Sequence, residues 1–176
     1  MKFEMERELS SLIGMPLWGM GMAASMQMFD FGECHEVMEP DGTGRMTGER
    51  ALHVFCAWRI RSATQIVVAS YDRCRKINLL THYVENFGRD EKFDEHLSGE
   101  SQGEQRGKAF LADKADLLTV LAVEIDNVGG FQLVFDKGFW LEVFPDCSIE
   151  GFEHWRLRKP LTDLPDFVIR VPLSEK

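Results

Sequence analysis

Two cysteines and two histidines in the first third of the chain have the side-chain types of a tetrahedral zinc site. They are the adjacent pair Cys34 and His35 and, further on, His53 and Cys56. Structural zinc sites usually place such ligands in close pairs on tight turns. His53 and Cys56 are three positions apart on a predicted strand, so their side chains point to opposite faces. We therefore interpret Cys56 as a small core residue and predict neither a metal ligand nor a cofactor-binding residue.

A second candidate group follows the strand that is predicted to end at Phe144. It contains Asp146, Glu150, Glu153 and His154, and paired carboxylates of this kind can act in general acid–base catalysis. Nothing in the local pattern fixes the distance between the acids. Acids three positions apart are expected on the solvent side of a turn in a chain of net charge −9. We predict no catalytic residue.

The charge of the chain constrains its partners. It carries 20 Lys and Arg against 29 Asp and Glu, which argues against nucleic acid or an anionic membrane surface and leaves basic partners open. Residues 45–76 are an exception, with seven basic and two acidic residues and a net charge of +5. We interpret these charges as outward residues on strand edges, where they deter pairing with other chains. Two alternatives stay open: internal docking of the acidic segment 85–104, and an anionic ligand.

Compartment and solubility follow from what the sequence lacks. The first eight residues carry three glutamates where a signal peptide needs a basic start and an uninterrupted apolar stretch, and no apolar run has the length of a membrane-spanning helix. The four cysteines show no C-x-x-C spacing. We expect a cytoplasmic protein with reduced thiols and no membrane association.

The apolar pattern predicts an α+β fold that is mainly antiparallel sheet, with an N-terminal helix and a short central helix. The helices are expected over 3–13 and 105–115. An exposed loop is expected over 32–50, because Pro40, Asp41 and Gly42 are turn residues. Strands are expected at 51–60, 65–70, 117–125, 131–135, 139–144, 154–158 and 167–171, after two strands within 17–31 that turn near 23–25.

Two parts of the chain resemble each other across three predicted strands. The run Leu52-His53-Val54-Phe55 corresponds to Leu141-Glu142-Val143-Phe144, and each is followed by a Trp-Arg pair, at Trp58 and Trp155. Each Trp-Arg pair is expected to form a stacked or ion-paired corner. We interpret residues 14–75 and 117–172 as two pseudo-duplicated halves of one domain that covers 1–176.

The residues of these strands also carry a family resemblance. The run from Ala51 to Arg59 and the stretch from Gly129 to Leu157, which contains L-E-V-F-P and E-H-W-R-L, are similar to those of a group of small uncharacterised bacterial proteins. The likeness includes Ile13 to Trp18 and covers most of the chain outside 80–116. It implies a single-domain cytosolic protein, and it implies no activity, cofactor or catalytic residue.

The sequence therefore favours a non-catalytic protein-binding module, of the immunity type that blocks a basic partner. The alternative is a small enzyme or ligand-binding protein whose pocket lies between the two halves. The residues that would line this pocket or contact surface are His53, Arg59, Glu153 and Arg156. Homodimerisation through a strand edge or a methionine-rich hairpin is compatible with both hypotheses.

Overall fold

The chain folds into an α+β structure that is mostly antiparallel sheet. The computed structural model describes residues 1–38, 42–73, 77–78, 83–84, 102–112 and 117–172. The helices are α1 (Lys2–Leu9) and α2 (Gln102–Phe110). The strands are β1 (Pro16–Ala23), β2 (Met26–Met38), β3 (Gly44–Val54), β4 (Ala57–Arg61), β5 (Ile66–Ala69), β6 (Ile77–Asn78), β7 (Tyr83–Val84), β8 (Leu118–Ile125), β9 (Phe131–Phe135), β10 (Trp140–Phe144), β11 (Glu153–Arg158) and β12 (Phe167–Arg170). The predicted fold class is confirmed.

Ten of these strands form one sheet, in the order β12-β11-β3-β2-β1-β8-β9-β10-β4-β5. Strands β1 to β3 form one meander and β8 to β10 form another. The two meanders are joined by a short pairing of Pro16 and Leu17 with Thr119 and Leu118, which backbone hydrogen bonds of Gly14 and Met15 with Val120 extend. All the strand pairs are antiparallel.

Each meander is extended by a hairpin from the other part of the chain. After β3 the chain crosses to pair β4 with β10, and after β10 it crosses back to pair β11 with β3. The pairing is reciprocal, since Trp155 lies opposite Val54 while Trp58 lies opposite Val143. This exchange of hairpins gives both halves the same strand path. The duplication of the sequence and the single-domain boundary stay predictions.

One apolar core contains side chains from both meanders and from the N-terminal segment. Strand residues at alternate positions supply most of it, as the period of two in a strand requires. Met5 and Leu9 of α1 and Leu12 of the following 3-10 turn are fully buried in the same core. The indole N–H of buried Trp155 donates to the carbonyl oxygen of Gly129 at 2.7 Å. The core therefore joins the two meanders where backbone pairing between them is short.

The predicted exposed loop over 32–50 is wrong. Strand β2 continues to Met38 and β3 begins at Gly44, so most of this segment is a long antiparallel hairpin. The single strand predicted over 51–60 is also wrong, because the chain bends at Phe55 and Cys56 and begins a new strand. The strands predicted at 131–135 and 139–144 are confirmed, and they pair as a hairpin with Lys137 and Gly138 at positive φ in its turn.

The helices are shorter than expected. Helix α1 ends at Leu9 and is followed by a 3-10 turn, and α2 begins three residues earlier than predicted and ends at Phe110. Lys159 donates to the Glu8 carboxylate at 2.9 Å and so holds α1 next to the end of β11. Neither described helix has the length and apolar character needed to cross a bilayer. The acidic segment 85–101 lies outside the described residues.

Candidate functional site

Three of the four residues proposed from the sequence lie together on β3 and β11. His53 is opposite Arg156 in the strand register, and Arg156 donates to the Glu153 carboxylate at 2.5 and 3.0 Å. Arg170 also donates to Glu153, at 3.2 Å. Arg59 belongs to the corresponding junction of β4 with β10 and pairs with Glu142. The proposed set is thus divided between two junctions.

His53 is buried beside two arginines. Only 7% of its surface is exposed, and burial, followed by the charges of Arg158 and Arg156, lowers its pKa to about 4. Arg156 and Arg158 both lie within 3.5 Å of the Asp166 carboxylate. The imidazole is therefore neutral at neutral pH. The two nearby arginines form ion pairs with the carboxylates of Glu153 and Asp166.

The junction of β4 with β10 is built around the carboxylate of Glu142. Arg59 and Arg61 both donate to it, the second at 2.8 Å, and Arg61 also reaches Gln132 at 3.2 Å. Burial raises the pKa of the Glu142 carboxyl, but the hydrogen bonds and charges of the two arginines outweigh burial and hold this pKa below its ordinary value. The acid is ionised at neutral pH and connects neighbouring strands.

The two Trp-Arg corners are similar, as the sequence suggests. The Arg59 guanidinium lies over the Phe144 ring at 5.1 Å, and that of Arg156 lies over the Phe55 ring at 5.7 Å. Each arginine also binds a carboxylate, of Glu142 in one corner and Glu153 in the other. Arg59 thus connects the exchanged strand β4 to β10, whereas the carboxylates that bind Arg156 belong to its own hairpin and its contact outside that hairpin is the Phe55 ring.

A different cluster forms where the two chain crossings meet. Cys56 lies in the bend between β3 and β4, Asp146 follows β10, and His154 is on β11. One ligand atom of each residue, a sulfur, a carboxylate oxygen and an imidazole nitrogen, lies within 4.8 Å of both others. The backbone N–H of Phe55 donates to the His154 carbonyl oxygen at 2.8 Å and fixes the two crossings to each other.

Two members of this cluster are buried and the third is exposed. Cys56 and His154 are 7% and 5% exposed, whereas the Asp146 carboxylate is in contact with solvent. Burial, with the charge of Asp146, raises the pKa of the Cys56 thiol to about 12. Burial lowers the pKa of His154, and Asp146 opposes that effect. Within the described chain the buried Nδ1 of His154 has no hydrogen-bond partner.

Sequence reasoning did not bring these three residues together. It placed Cys56 with Cys34, His35 and His53, and it placed Asp146 and His154 with two glutamates. In the structure Cys34 is exposed on the β2–β3 hairpin, far in register from the Cys56 bend. The internal repeat contained the usable signal, since Cys56 comes two residues before Trp58 and His154 one residue before Trp155, the corresponding tryptophans of the two halves.

A second feature with a potential function is the outer part of the β2–β3 hairpin. Residues 34–38 of β2 pair with residues 44–48 of β3. This part of the hairpin extends past the point where β2 stops pairing with β1 and β3 begins pairing with β11. Met38 and Met46 on this part are 64% and 51% exposed. We call residues 33–38 and 44–49 the acidic arm, because Glu33, Glu36 and Glu49 belong to it.

A bulge bends the acidic arm at its base. The register between β2 and β3 shifts between Phe31 and Cys34, and Gly32 adopts a φ of +83° there. Glu49 packs against Gly32 and accepts a hydrogen bond from the Glu33 backbone N–H at 3.1 Å. A glycine is needed at position 32 because an L side chain rarely adopts this backbone conformation.

A cleft of about 220 Å³ lies between the end of α2 and the start of β8. Phe110, Leu118 and Phe139 are among its lining residues. It is largely apolar and carries one cation, Lys137. It does not contain any of the four residues proposed from the sequence.

Comparison with known proteins adds no relative. No family model, curated protein or solved structure gives a significant match to this chain.

Proposed function

We propose that this chain is a non-catalytic protein-binding module that engages a basic protein through its acidic arm. Its action would resemble that of an immunity protein that blocks a basic toxin. The observation that carries the proposal is the arm itself: a two-stranded extension whose outer edges have no strand partner within the described part of the chain. Unpaired strand edges present backbone N–H and C=O groups to another chain.

The side chains of the arm suit a protein partner. Met38 and Met46 are flexible apolar residues that adapt to an irregular surface, and both are more than half exposed. Most buried apolar residues of the fold belong to the continuous core, so these two methionines are not needed there. Exposing these apolar side chains to water is unfavourable, and a bound protein that covers them would remove that unfavourable term.

The charge of the arm specifies a basic partner. The arm contains Glu33, Glu36 and Glu49 against Arg45, a net charge of −2, and the sequence that connects its two strands adds two further acids, within a chain of net charge −9. Three arginines after the arm are engaged within the chain, since Arg59 and Arg61 bind Glu142 and Arg50 donates to the Glu49 carbonyl oxygen. Acids on an edge also repel other copies of the arm, whereas a cationic chain is attracted.

The test compares three tagged full-length proteins in affinity capture from host lysate, with mass spectrometry of the retained proteins. The arm variant carries Glu33→Lys, Glu36→Lys and Met46→Ser. The control variant carries Leu121→Ser and Val128→Ser, two exposed apolar residues outside the arm. Circular dichroism and urea unfolding establish that each variant is folded.

The proposal predicts one stoichiometric basic protein that the wild type and the control retain and the arm variant loses. Raising the salt concentration should release it, because exposed charges steer the association. Capture of the same proteins by all three forms would overturn the proposal. So would a retained partner that is acidic, or retention that does not change with salt.

A second candidate function is a small enzyme or ligand-binding protein with its site between the two halves. The observation that favours it is the Cys56, Asp146 and His154 cluster at the crossing of the hairpins. Activity of the purified protein would then depend on these residues, and the arm variant would retain it. Two measurements therefore separate the functions: the activity of the arm variant, and the partner binding of variants in the Cys56, Asp146 and His154 cluster.

A further inference from the structure

The strongest candidate for a site that the protein-binding function does not use is the junction where the chain crosses between the two meanders. Cys56 and His154 enter it from buried positions, and Asp146 enters it from the solvent side. The three residues come from three separate segments, the bend before β4, the loop after β10 and strand β11. The Phe55–His154 backbone hydrogen bond holds two of these segments together at 2.8 Å.

The arrangement is a triangle, which distinguishes it from a nucleophilic triad. In a Cys-His-acid triad the histidine lies between the other two groups, so the nucleophile and the acid are far apart. Here each of the three ligand atoms is within 4.8 Å of both others. Three such ligand atoms that all lie this close to one another can be brought around one metal ion.

The distances require little movement. With Zn–S near 2.3 Å and Zn–N or Zn–O near 2.0–2.1 Å, tetrahedral ligand atoms lie about 3.4–3.5 Å apart. Closing from 4.8 Å or less is a shift of roughly 1 Å, which small side-chain rotations supply. The exposed Asp146 can make most of this adjustment, because Cys56 and His154 are buried and closely packed.

An independent observation points to a ligand. Only 5% of the surface of His154 is exposed, and its Nδ1 atom is buried. Among the described residues this atom has no hydrogen-bond partner. Leaving such an atom unsatisfied costs about 1–3 kcal/mol, and native proteins rarely do so without a reason. A metal ion, or a water bound to one, would satisfy the imidazole.

We propose that Cys56, Asp146 and His154 form a binding site for a divalent transition metal ion of the zinc type. The three residues supply one sulfur, one oxygen and one nitrogen ligand, and water completes the tetrahedron from the exposed side. Coordination replaces the S–H bond of Cys56 by an S–metal bond, and the thiol proton passes to solvent or buffer. The ion would tie β4 to β11 at the point where the hairpins are exchanged.

The test uses full-length protein from which metal has been removed with EDTA. Co²⁺ is titrated into it and the thiolate-to-cobalt charge-transfer band is recorded, and Zn²⁺ affinity is then measured by competition with a chromogenic chelator. The site variants are Cys56→Ser and Asp146→Asn. The matched controls are Cys34→Ser, on the arm, and Cys147→Ser, which neighbours Asp146 but is outside the triangle.

The expected result is one equivalent of Co²⁺ with a thiolate band in the wild type and both controls. The band is lost in Cys56→Ser, and Zn²⁺ affinity falls by about tenfold or more in Asp146→Asn, a loss comparable with that from removing a supporting residue of a metal site. Asp146→Asn keeps the test valid if Cys56→Ser does not fold, since the aspartate is exposed. Absence of the band in folded wild type, or its persistence in Cys56→Ser, overturns the proposal. An unchanged Zn²⁺ affinity in Asp146→Asn does so as well.

Discussion

Burial of His53 should make the stability of the fold decrease as the pH falls below neutrality. Its pKa is lowered from 6.5 to about 4, first by burial and then by the charges of Arg158 and Arg156. The unfolded chain therefore takes up a proton near pH 6.5 that the folded chain does not bind until near pH 4. Because the folded pKa is the lower one, this contribution to stability is complete above 6.5 and is lost as the pH falls from 6.5 through 4.

The magnitude follows from the gap between the two pKa values. A difference of about 2.5 units corresponds to about 3 kcal/mol of unfolding free energy at low pH. As the pH falls from 7 to 5, the unfolded chain takes up most of a proton at this site and the folded chain takes up almost none, so about 2 kcal/mol is lost in that interval. This is a large fraction of the 5–15 kcal/mol that is usual for a domain.

The assay is urea unfolding followed by tryptophan fluorescence at several pH values from 7 to 5, in EDTA so that bound metal does not contribute. His53→Gln should lose about 2 kcal/mol less than the wild type over this interval. The control is His35→Gln, which replaces a half-exposed histidine of the arm and should keep the wild-type dependence. Because burial also lowers the pKa of His154, some dependence should remain in His53→Gln. Equal losses in His53→Gln and the wild type would refute the reasoning.

Three further substitutions test separate contacts by urea unfolding. Trp155→Phe removes the donor to a buried carbonyl and should cost about 1–3 kcal/mol more than Trp18→Phe, whose buried indole N–H has no partner among the described residues; equal costs would contradict this. Gly48→Ala places a methyl group 2.8 Å from a backbone nitrogen of β2 and should cost about 1–3 kcal/mol, whereas Gly44→Ala meets only a flexible glutamate side chain and should cost less. Glu142→Gln should lower stability at pH 7 by about 1–2 kcal/mol, a range that allows for the partial exposure of the two arginines that bind the carboxylate. This loss should shrink in acid, because the wild-type carboxylate is then protonated as well. A loss that does not depend on pH would count against the ion pairs.

The local elements were largely predictable because their signals are local. The 131–144 hairpin follows from alternating apolar residues on both sides of a turn with Lys137 and Gly138 at positive φ. The β4–β5 hairpin follows from a β-branched run after a short polar break. In both cases residues within about 15 positions of each other determine the structure, so a periodicity argument includes the relevant partners.

The acidic arm was not predictable by the same reasoning. Turn residues near Pro40 correctly indicated a reversal, but the adjoining residues are polar on both faces and lack the alternation of a half-buried strand. Backbone hydrogen bonds between Cys34–Met38 and Gly44–Gly48 hold the arm together, and those bonds leave no trace in side-chain composition. A hairpin that leaves the core therefore has the composition of a loop.

The cluster of Cys56, Asp146 and His154 was also not predictable from the sequence, but for a different reason. Cys56 and His154 are adjacent only because the two hairpins are exchanged between meanders, and strand order depends on long-range packing that no local pattern specifies. The same limit applied to the four residues selected from the sequence, because the repeat could not show that they lie at two different junctions. Arg59 corresponds to Arg156 in the repeat but lies at the other junction. The internal repeat indicated which positions correspond and did not indicate which ones touch.

The exchange of hairpins also sets an order of events during synthesis of the chain. Val54 pairs with Gln27 on one side, but its partner on the other side, Trp155, is synthesised about 100 residues later, which corresponds to roughly 5–20 s at usual ribosomal rates. During that interval the edges of β3 and β4 are exposed on the nascent chain, without the strands that will cover them. Neither half can complete its sheet alone, so fragments 1–78 and 102–176 should be unstructured separately and recover the fold when mixed.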